Sequence, residues 1–193
     1  MRIQQLRLQH YRNFISQTFE FSPTLNLVQG NNGVGKTNLL EAILFLARGK
    51  SMHEVRRHRY AIAWGQVYAD VYGGFIDDQA TRLEVGLRLT PVGLERTEIN
   101  QKPIRKLSEL LGKVPVLPLL AEDIELFAGA PLKRREYLDA LLCMADPEYL
   151  EAFVRYHRAL LQRNQQLRSH SIADDAFLSI LIQYGFKLHQ KRI

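Results

Sequence analysis

The residues with the clearest chemistry form one glycine-rich octet, Gly30-Asn31-Asn32-Gly33-Val34-Gly35-Lys36-Thr37. Its spacing satisfies the P-loop pattern G-x-x-x-x-G-K-[ST]. Glycines let the backbone curl so that successive N–H groups point at a β-phosphate, while the lysine pairs with the β- and γ-phosphates. The hydroxyl of Thr37 is suited to ligate a Mg²⁺ ion that bridges the same oxygens. The octet therefore predicts a site for ATP with Mg²⁺.

A P-loop must lie between a strand and a helix, and the flanking residues have both patterns. Leu25–Gln29 is a short apolar run that predicts a strand, and residues 37–47 carry apolar side chains at helical spacing. The alternative is an ordinary tight turn in which Lys36 is a solvated residue at the start of a helix. The strand, loop and helix context favours the nucleotide site.

The rest of the first half has the pattern of short strands. Alternation predicts strands at residues 3–8 and 15–21, and further β segments at 67–72, 83–89 and 96–100. Turn residues separate these segments, which favours a mostly antiparallel meander. The fold class predicted for this part is an α/β P-loop ATPase lobe with mixed and antiparallel strands.

The second half has helical periodicity, at residues 132–144, 147–168 and 174–193. We therefore predict an ATP-binding lobe over residues 1–112 and a mainly helical lobe over residues 113–193. Tyr149, Phe153 and Tyr156 lie at helical spacing and are expected to pack in the core of the helical lobe.

Hydrolysis requires a second element, an apolar strand that ends in an acidic residue. Residues 114–123 resemble such a strand, but Pro115 and Pro118 cannot donate hydrogen bonds within a central sheet. Ile76-Asp77-Asp78 follows a glycine-rich stretch and favours the end of a hairpin. The 193-residue sequence therefore predicts nucleotide binding with little hydrolysis, and no catalytic residue is assigned.

Composition favours a soluble, cytoplasmic protein. The apolar fraction of 46% suffices for a core, and the single cysteine, Cys143, cannot form an internal disulfide. The sequence contains no signal-type start and no apolar run of membrane-spanning length.

The net charge of +6 favours a polyanionic partner. Most of the excess lies in the first half, where five basic residues could neutralise DNA phosphates without reading bases: Arg48, Lys50, Arg56, Arg57 and Arg59. The alternative is a solvated basic loop. His53 and His58 share this loop, but Glu54 is the only carboxylate near them, so a metal site there is not expected.

Four segments of the chain, in order, resemble the N-terminal half of the RecF family of recombination-repair ATPases, which are related to SMC and ABC-type ATPases. They are Leu8–Phe14, Gly33–Ile43, Gly129–Pro131 with Arg134–Asp139, and Leu160–Asn164. The resemblance implies that Arg12 and Asn13 contact the nucleotide from the side. It also adds Asn38 to the contacts expected of the glycine octet.

The resemblance further implies what such a protein does. Nucleotide would be held between two copies, and the ATP-dependent homodimer would bind DNA, single-stranded or gapped duplex. RecO and RecR would be partners in loading RecA, with roles in replication restart and SOS induction. The full-length protein would be a weak, DNA-stimulated ATPase.

The chain departs from the family pattern in three ways. Met52-His53 replaces an aromatic-arginine pair, and Leu120–Asp123 replaces a Ser/Thr-Pro-Glu-Asp run but keeps Glu122. A signature of the Leu-Ser-x-Gly-Gln type and a Walker B carboxylate do not occur before Ile193. The sequence therefore has the pattern expected of a truncated piece of a longer protein.

Two other functions remain open from the residues alone. Another SMC-like ATPase head would continue from Pro147 into a long coiled coil, but residues 147–193 do not sustain heptads. A P-loop kinase of a small metabolite would transfer phosphate without binding DNA.

Overall fold

The computed structural model describes residues 1–49, 58–119, 131–168 and 176–192. The chain forms two compact units, Met1–Pro118 and Leu119–Ile193. Val114 is buried in the core of the first unit. The assignment of an ATP-binding lobe and a helical lobe to residues 1–112 and 113–193 stays a prediction.

The first unit contains a six-stranded antiparallel sheet of order β2-β1-β3-β4-β5-β6. The strands are β1 (Arg2–Tyr11), β2 (Phe14–Glu20), β3 (Ala69–Ile76), β4 (Arg82–Thr90), β5 (Gly93–Ile99) and β6 (Lys102–Pro103). The predicted antiparallel meander is confirmed, because β3, β4 and β5 pair in sequence order. β1 pairs with both β2 and β3.

Helix α1 (Lys36–Arg48) packs on one face of this sheet. Residues of β3 alternate between buried and partly exposed, so Val71 and Phe75 face the same core as Leu46 of the helix. At Gly73 a Cβ atom would lie 2.5 Å from Leu46 Cδ1. The helix that begins at the glycine loop is therefore held close to the sheet.

The turn between β3 and β4 confirms the hairpin end predicted at residues 76–78. Asp77 Oδ1 accepts hydrogen bonds from the backbone N–H groups of Gln79 and Thr81. The Thr81 bond is the main reason that the pKa of Asp77 is lowered. Asp77 is therefore a turn residue.

The strand predicted at Leu25–Gln29 is wrong: the structure gives these residues no regular secondary structure. Leu25 and Leu27 are 83% and 85% exposed. A strand requires a hydrogen-bonded neighbour, and none of the six described strands pairs with this segment. The apolar pattern of this segment alone is therefore not sufficient to predict a strand.

The described residues of the second unit are mainly helical, as predicted, and form α2 (Pro131–Ala145), α3 (Pro147–Arg168) and α4 (Ala176–Arg192). Tyr149 is buried with Ala152 and Leu188, and Phe153 and Tyr156 pack against this cluster, which confirms the predicted core role of the three aromatic residues. Arg192 donates to both carboxylate oxygens of Asp139, and Tyr149 also donates to that carboxylate. This network fastens the end of α4 to α2 and α3.

Candidate nucleotide-binding site

The glycine loop turns into α1 without a side-chain cap. Gly33 and Gly35 have φ values of 84° and 107°, which favour glycine. The first α1 hydrogen bond runs from Leu39 N–H to Gly35 O at 2.9 Å, and no side chain caps Gly35. The N–H groups of the first turn, together with the positive end of the helix dipole, therefore remain available to an anion.

Lys36 extends across the loop. Its Nζ atom donates to Gly30 O at 2.8 Å and to Asn31 O at 2.9 Å. The ammonium group is thereby held beside the backbone of the loop, where it adds a positive charge to the N-terminus of α1. Thr37, next in the chain, has an exposed side chain. The arrangement suits polyphosphate chemistry, with a hydroxyl in reach of solvent for a hydrated Mg²⁺ ion.

Asn13 contacts the loop from the turn between β1 and β2. Its Nδ2 atom donates to Val34 O at 2.9 Å, and its Oδ1 atom accepts from Asn38 Nδ2 at 2.8 Å. A Cβ atom on Gly35 would lie 2.5 Å from Asn13 Nδ2. The P-loop motif requires glycine at position 35 because the backbone must curl there. The structure gives a second reason, since Asn13 occupies the space that a side chain on residue 35 would need.

Arg12 lies beside Asn13 and forms an ion pair with the buried Glu41 of α1. Its Nη2 atom is 2.8 Å from Glu41 Oε1 and 2.7 Å from Oε2, and its Nη1 atom donates to Tyr60 O. Burial raises the pKa of Tyr11, and the Glu41 carboxylate raises that pKa further. Sequence reasoning missed Glu41, for which the only signal is a carboxylate among the apolar residues of α1.

A cavity of about 690 Å³ lies next to the β1–β2 turn that carries Arg12 and Asn13. Its lining residues come from three places, the β1–β2 turn, the start of α1 and the segment before β3: Arg12, Asn13, Asn38, Arg59, Tyr60, Ile62 and Trp64. Trp64 is 99% exposed, so one wall of the cavity is an aromatic surface in solvent. Three of the predicted nucleotide residues are thus brought together, whereas Tyr60, Ile62 and Trp64 had no motif to reveal them.

The residues predicted to contact DNA are described only in part. Arg48 is half-buried in the last turn of α1, and burial lowers its pKa. Arg59 is exposed and lines the cavity. Lys50, Arg56 and Arg57 lie outside the described residues, as do Met52-His53 and Glu122. The DNA contacts stay a prediction.

Metal binding by the protein alone finds no support in the described ranges. Across 1–49, 58–119, 131–168 and 176–192, no group of three His, Cys, Asp or Glu side chains is placed to hold an ion. Thr37 as a ligand to a nucleotide-bound Mg²⁺ stays a prediction. In the same ranges, no helix is long and apolar enough to cross a membrane.

Comparison with known proteins identifies the family. A family model described as an AAA domain matches residues 5–114. The chain belongs to this AAA-domain family. The DNA replication and repair protein RecF of Enterococcus faecalis is 35% identical over 186 residues, which are 95% of this chain and 49% of that protein. The chain spans about half the length of the curated relatives it matches.

Solved structures agree with the sequence relatives. The recombination mediator RecF with ATPrS, of the RecFOR pathway, superposes with a TM-score of 0.87 at 26% identity, over 99% of this chain and 53% of that one. An SMC ATPase, of the kind that shows ATP-driven dimerization and DNA-stimulated activation, superposes with a TM-score of 0.60 at 25% identity. The match covers 72% of this chain and 98% of that one. The resemblance to RecF and the ABC/SMC-type ATPase fold are therefore confirmed.

Proposed function

We propose that this chain is the ATP-binding part of a RecF-type DNA repair protein. The observation that carries the proposal is the uncapped N-terminus of α1, with Lys36 held over the glycine loop. Such an N-terminus, with its lysine, binds the phosphates of a nucleotide. The RecF structures with ATP and with ATPrS superpose on nearly the whole chain, which supports ATP as that nucleotide.

The expected nucleotide contacts follow from the site. The glycine octet with Asn38 holds the phosphates, Thr37 ligates the Mg²⁺ that ATP brings, and Arg12 and Asn13 lie at the side of the nucleotide. The cavity beside Asn13 is also lined by Asn38 at the start of α1, so it lies next to the N-terminal end of the helix that follows the loop. Hydrolysis needs a carboxylate and an oriented water in addition. We assign weak, DNA-stimulated ATPase activity to the full-length protein.

DNA binding is the second part of the proposal. The positive charge of the chain and the basic residues 48–59 supply a sequence-independent attraction to phosphates. ATP would bring two copies together, as in the ATP-driven dimerization of the SMC ATPases that superpose on this chain. The dimer would bind single-stranded or gapped duplex DNA in the cytoplasm.

The cellular role is proposed from the family. RecF relatives are DNA replication and repair proteins, and the solved RecF structures belong to the RecFOR pathway. We infer that RecO and RecR are partners, that RecA loading is the outcome, and that replication restart, recombination and SOS induction depend on it. A metabolite kinase gains no support from these relatives.

The test is DNA binding by the full-length protein with and without MgATP, at two salt concentrations, while its oligomeric state is followed. We expect binding that strengthens with ATP as dimers form and weakens with salt. An Arg56→Ala/Arg57→Ala variant should bind DNA several-fold more weakly and still bind ATP. Absence of DNA binding in every condition would reject the repair function and leave the nucleotide site intact.

A further inference from the structure

The amide of Asn13 is fixed at both ends. Its nitrogen donates to the carbonyl of Val34, and its oxygen accepts from Asn38. A rotated amide would place oxygen against the Val34 carbonyl and nitrogen against the Asn38 donor, so it would lose both bonds. The donor end of Asn13 is therefore directed at one carbonyl of the glycine loop.

That carbonyl belongs to the peptide between Val34 and Gly35. A trans peptide is planar, and its C=O and N–H bonds point in opposite directions. The structure contains no cis peptide among the described residues. Because Asn13 holds the Val34 oxygen, the N–H of Gly35 must point away from Asn13. Backbone N–H groups of this kind are what a P-loop offers to phosphate oxygens.

The β1–β2 turn that carries Asn13 is held in place by contacts of its other residue, Arg12. Arg12 has a φ of 54°, which is uncommon for a residue with a side chain. Its backbone N–H donates to Ala61 O at 2.8 Å, and its guanidinium contacts Glu41 and Tyr60 O. Three contacts of Arg12 therefore hold this turn, and the next residue, Asn13, contacts the glycine loop.

We infer that Asn13 is a positioning residue for the phosphate site. It orients the 34–35 peptide so that the Gly35 N–H is ready to bind a phosphate oxygen, and Asn38 keeps the Asn13 amide in that orientation. A glycine on the C-terminal side of this peptide has no side chain to limit rotation, which explains why a separate group is needed to hold it. The inference rests on the proposed nucleotide site.

The test separates orientation of the loop from direct contact with the nucleoside. A fluorescent ATP analogue would be displaced by MgATP and, separately, by inorganic triphosphate with Mg²⁺, in the wild type and in Asn13→Ala. We expect the variant to bind both competitors more weakly, by the same factor of about ten. Equal losses follow because both competitors present the same phosphates to the Gly35 N–H.

Two further variants control the experiment. Asn100→Ala removes another asparagine whose side chain bonds to the backbone, in this case as acceptor from the N–H of Glu84, and should change neither affinity. Asn38→Ala keeps the backbone N–H that residue 38 offers to a phosphate in the first turn of α1 and removes only the side chain that holds the Asn13 amide, so it should weaken both competitors equally, by about threefold. It also keeps the test valid if Asn13→Ala unfolds, which thermal melting would reveal.

The other outcomes reject the idea. A loss for ATP alone would mean that Asn13 touches the nucleoside, and unchanged affinities in a folded Asn13→Ala protein would mean that the peptide needs no such support. Either result overturns the inference. The proposed nucleotide site would still stand, because the wild-type protein would bind both competitors. Failure of the wild type to bind either competitor would instead overturn the proposed site, and this inference with it.

Discussion

Arg12 and Glu41 are 29 residues apart in the sequence, yet one guanidinium nitrogen of Arg12 lies within 2.8 Å of both carboxylate oxygens of Glu41. The Glu41 side chain is 4% exposed and that of Arg12 is 24% exposed. A buried carboxylate is costly to keep charged without a cationic partner. The pair therefore connects the β1–β2 turn to the helix that follows the P-loop.

We expect Arg12→Ala to lower the free energy of unfolding by about 3 kcal/mol, because it removes the cation from a buried carboxylate. Glu41→Gln in the Arg12→Ala background should recover part of that loss. Urea unfolding of the single and double variants measures both effects, with Arg82→Ala, an exposed arginine on β4, as the control. A loss below about 1 kcal/mol would show that Arg12 does not stabilise Glu41.

Gly73 and Gly74 are neighbours on β3 with opposite surroundings, which gives a matched pair. A Cβ on Gly73 would lie 2.5 Å from Leu46 Cδ1, whereas one on Gly74 would meet only Gln5 Cβ, at 3.9 Å. Gly73→Ala should cost about 1–3 kcal/mol by overpacking the contact with α1. Gly74→Ala should be neutral or stabilise by about 0.5 kcal/mol. Thermal melting measures both, and equal effects would contradict the close approach of α1.

Cys143 provides a pH-dependent readout of the helical unit. Burial, with a smaller effect of the Asp139 carboxylate, raises the pKa of its thiol from 9 to about 11. A raised thiol pKa means that the folded state keeps the proton longer, so this group makes no difference below about pH 9 and destabilises the fold as pH rises from 9 to 11.

The rate of alkylation by iodoacetamide follows the thiolate fraction and has a single target, since the chain has one cysteine. We expect a midpoint near pH 11 in the folded protein and near pH 9 in urea. Asp139→Asn should move the folded midpoint downward only slightly, because burial is the larger cause. A folded midpoint near 9 would show that Cys143 is solvated.

The sequence predicts the parts of this fold that depend on local pattern. The P-loop octet, the helix after it and the hairpin turn at Asp77 each follow from residue types within a few positions. The contact of Arg12 with Glu41 does not, because only the tertiary fold brings a turn residue to a position on α1 29 residues later. The strand expected at Leu25–Gln29 fails for a related reason: its apolar pattern is clear, but strand formation depends on a paired neighbour.

The candidate site also combines residues that a local motif predicts with contacts that only the tertiary fold creates. The motif predicts roles for Lys36 and Thr37 in binding phosphate and Mg²⁺, since a P-loop has fixed spacing. It does not reveal that Asn13 contacts Val34 O, or that Tyr60 and Trp64 line the adjoining cavity. These contacts join segments that carry no motif of their own, and single-sequence periodicity contains no information about them.

The most direct test of the nucleotide site is the affinity of the protein for MgATP, measured by titration calorimetry with the wild type and with Lys36→Ala. Lys133→Ala, an exposed lysine on α2, is the matched control. We expect Lys36→Ala to lose at least tenfold in affinity, because it removes the charge that pairs with the phosphates, while Lys133→Ala binds as the wild type does. Unchanged affinity in a folded Lys36→Ala protein would contradict the placement of the nucleotide at the glycine loop.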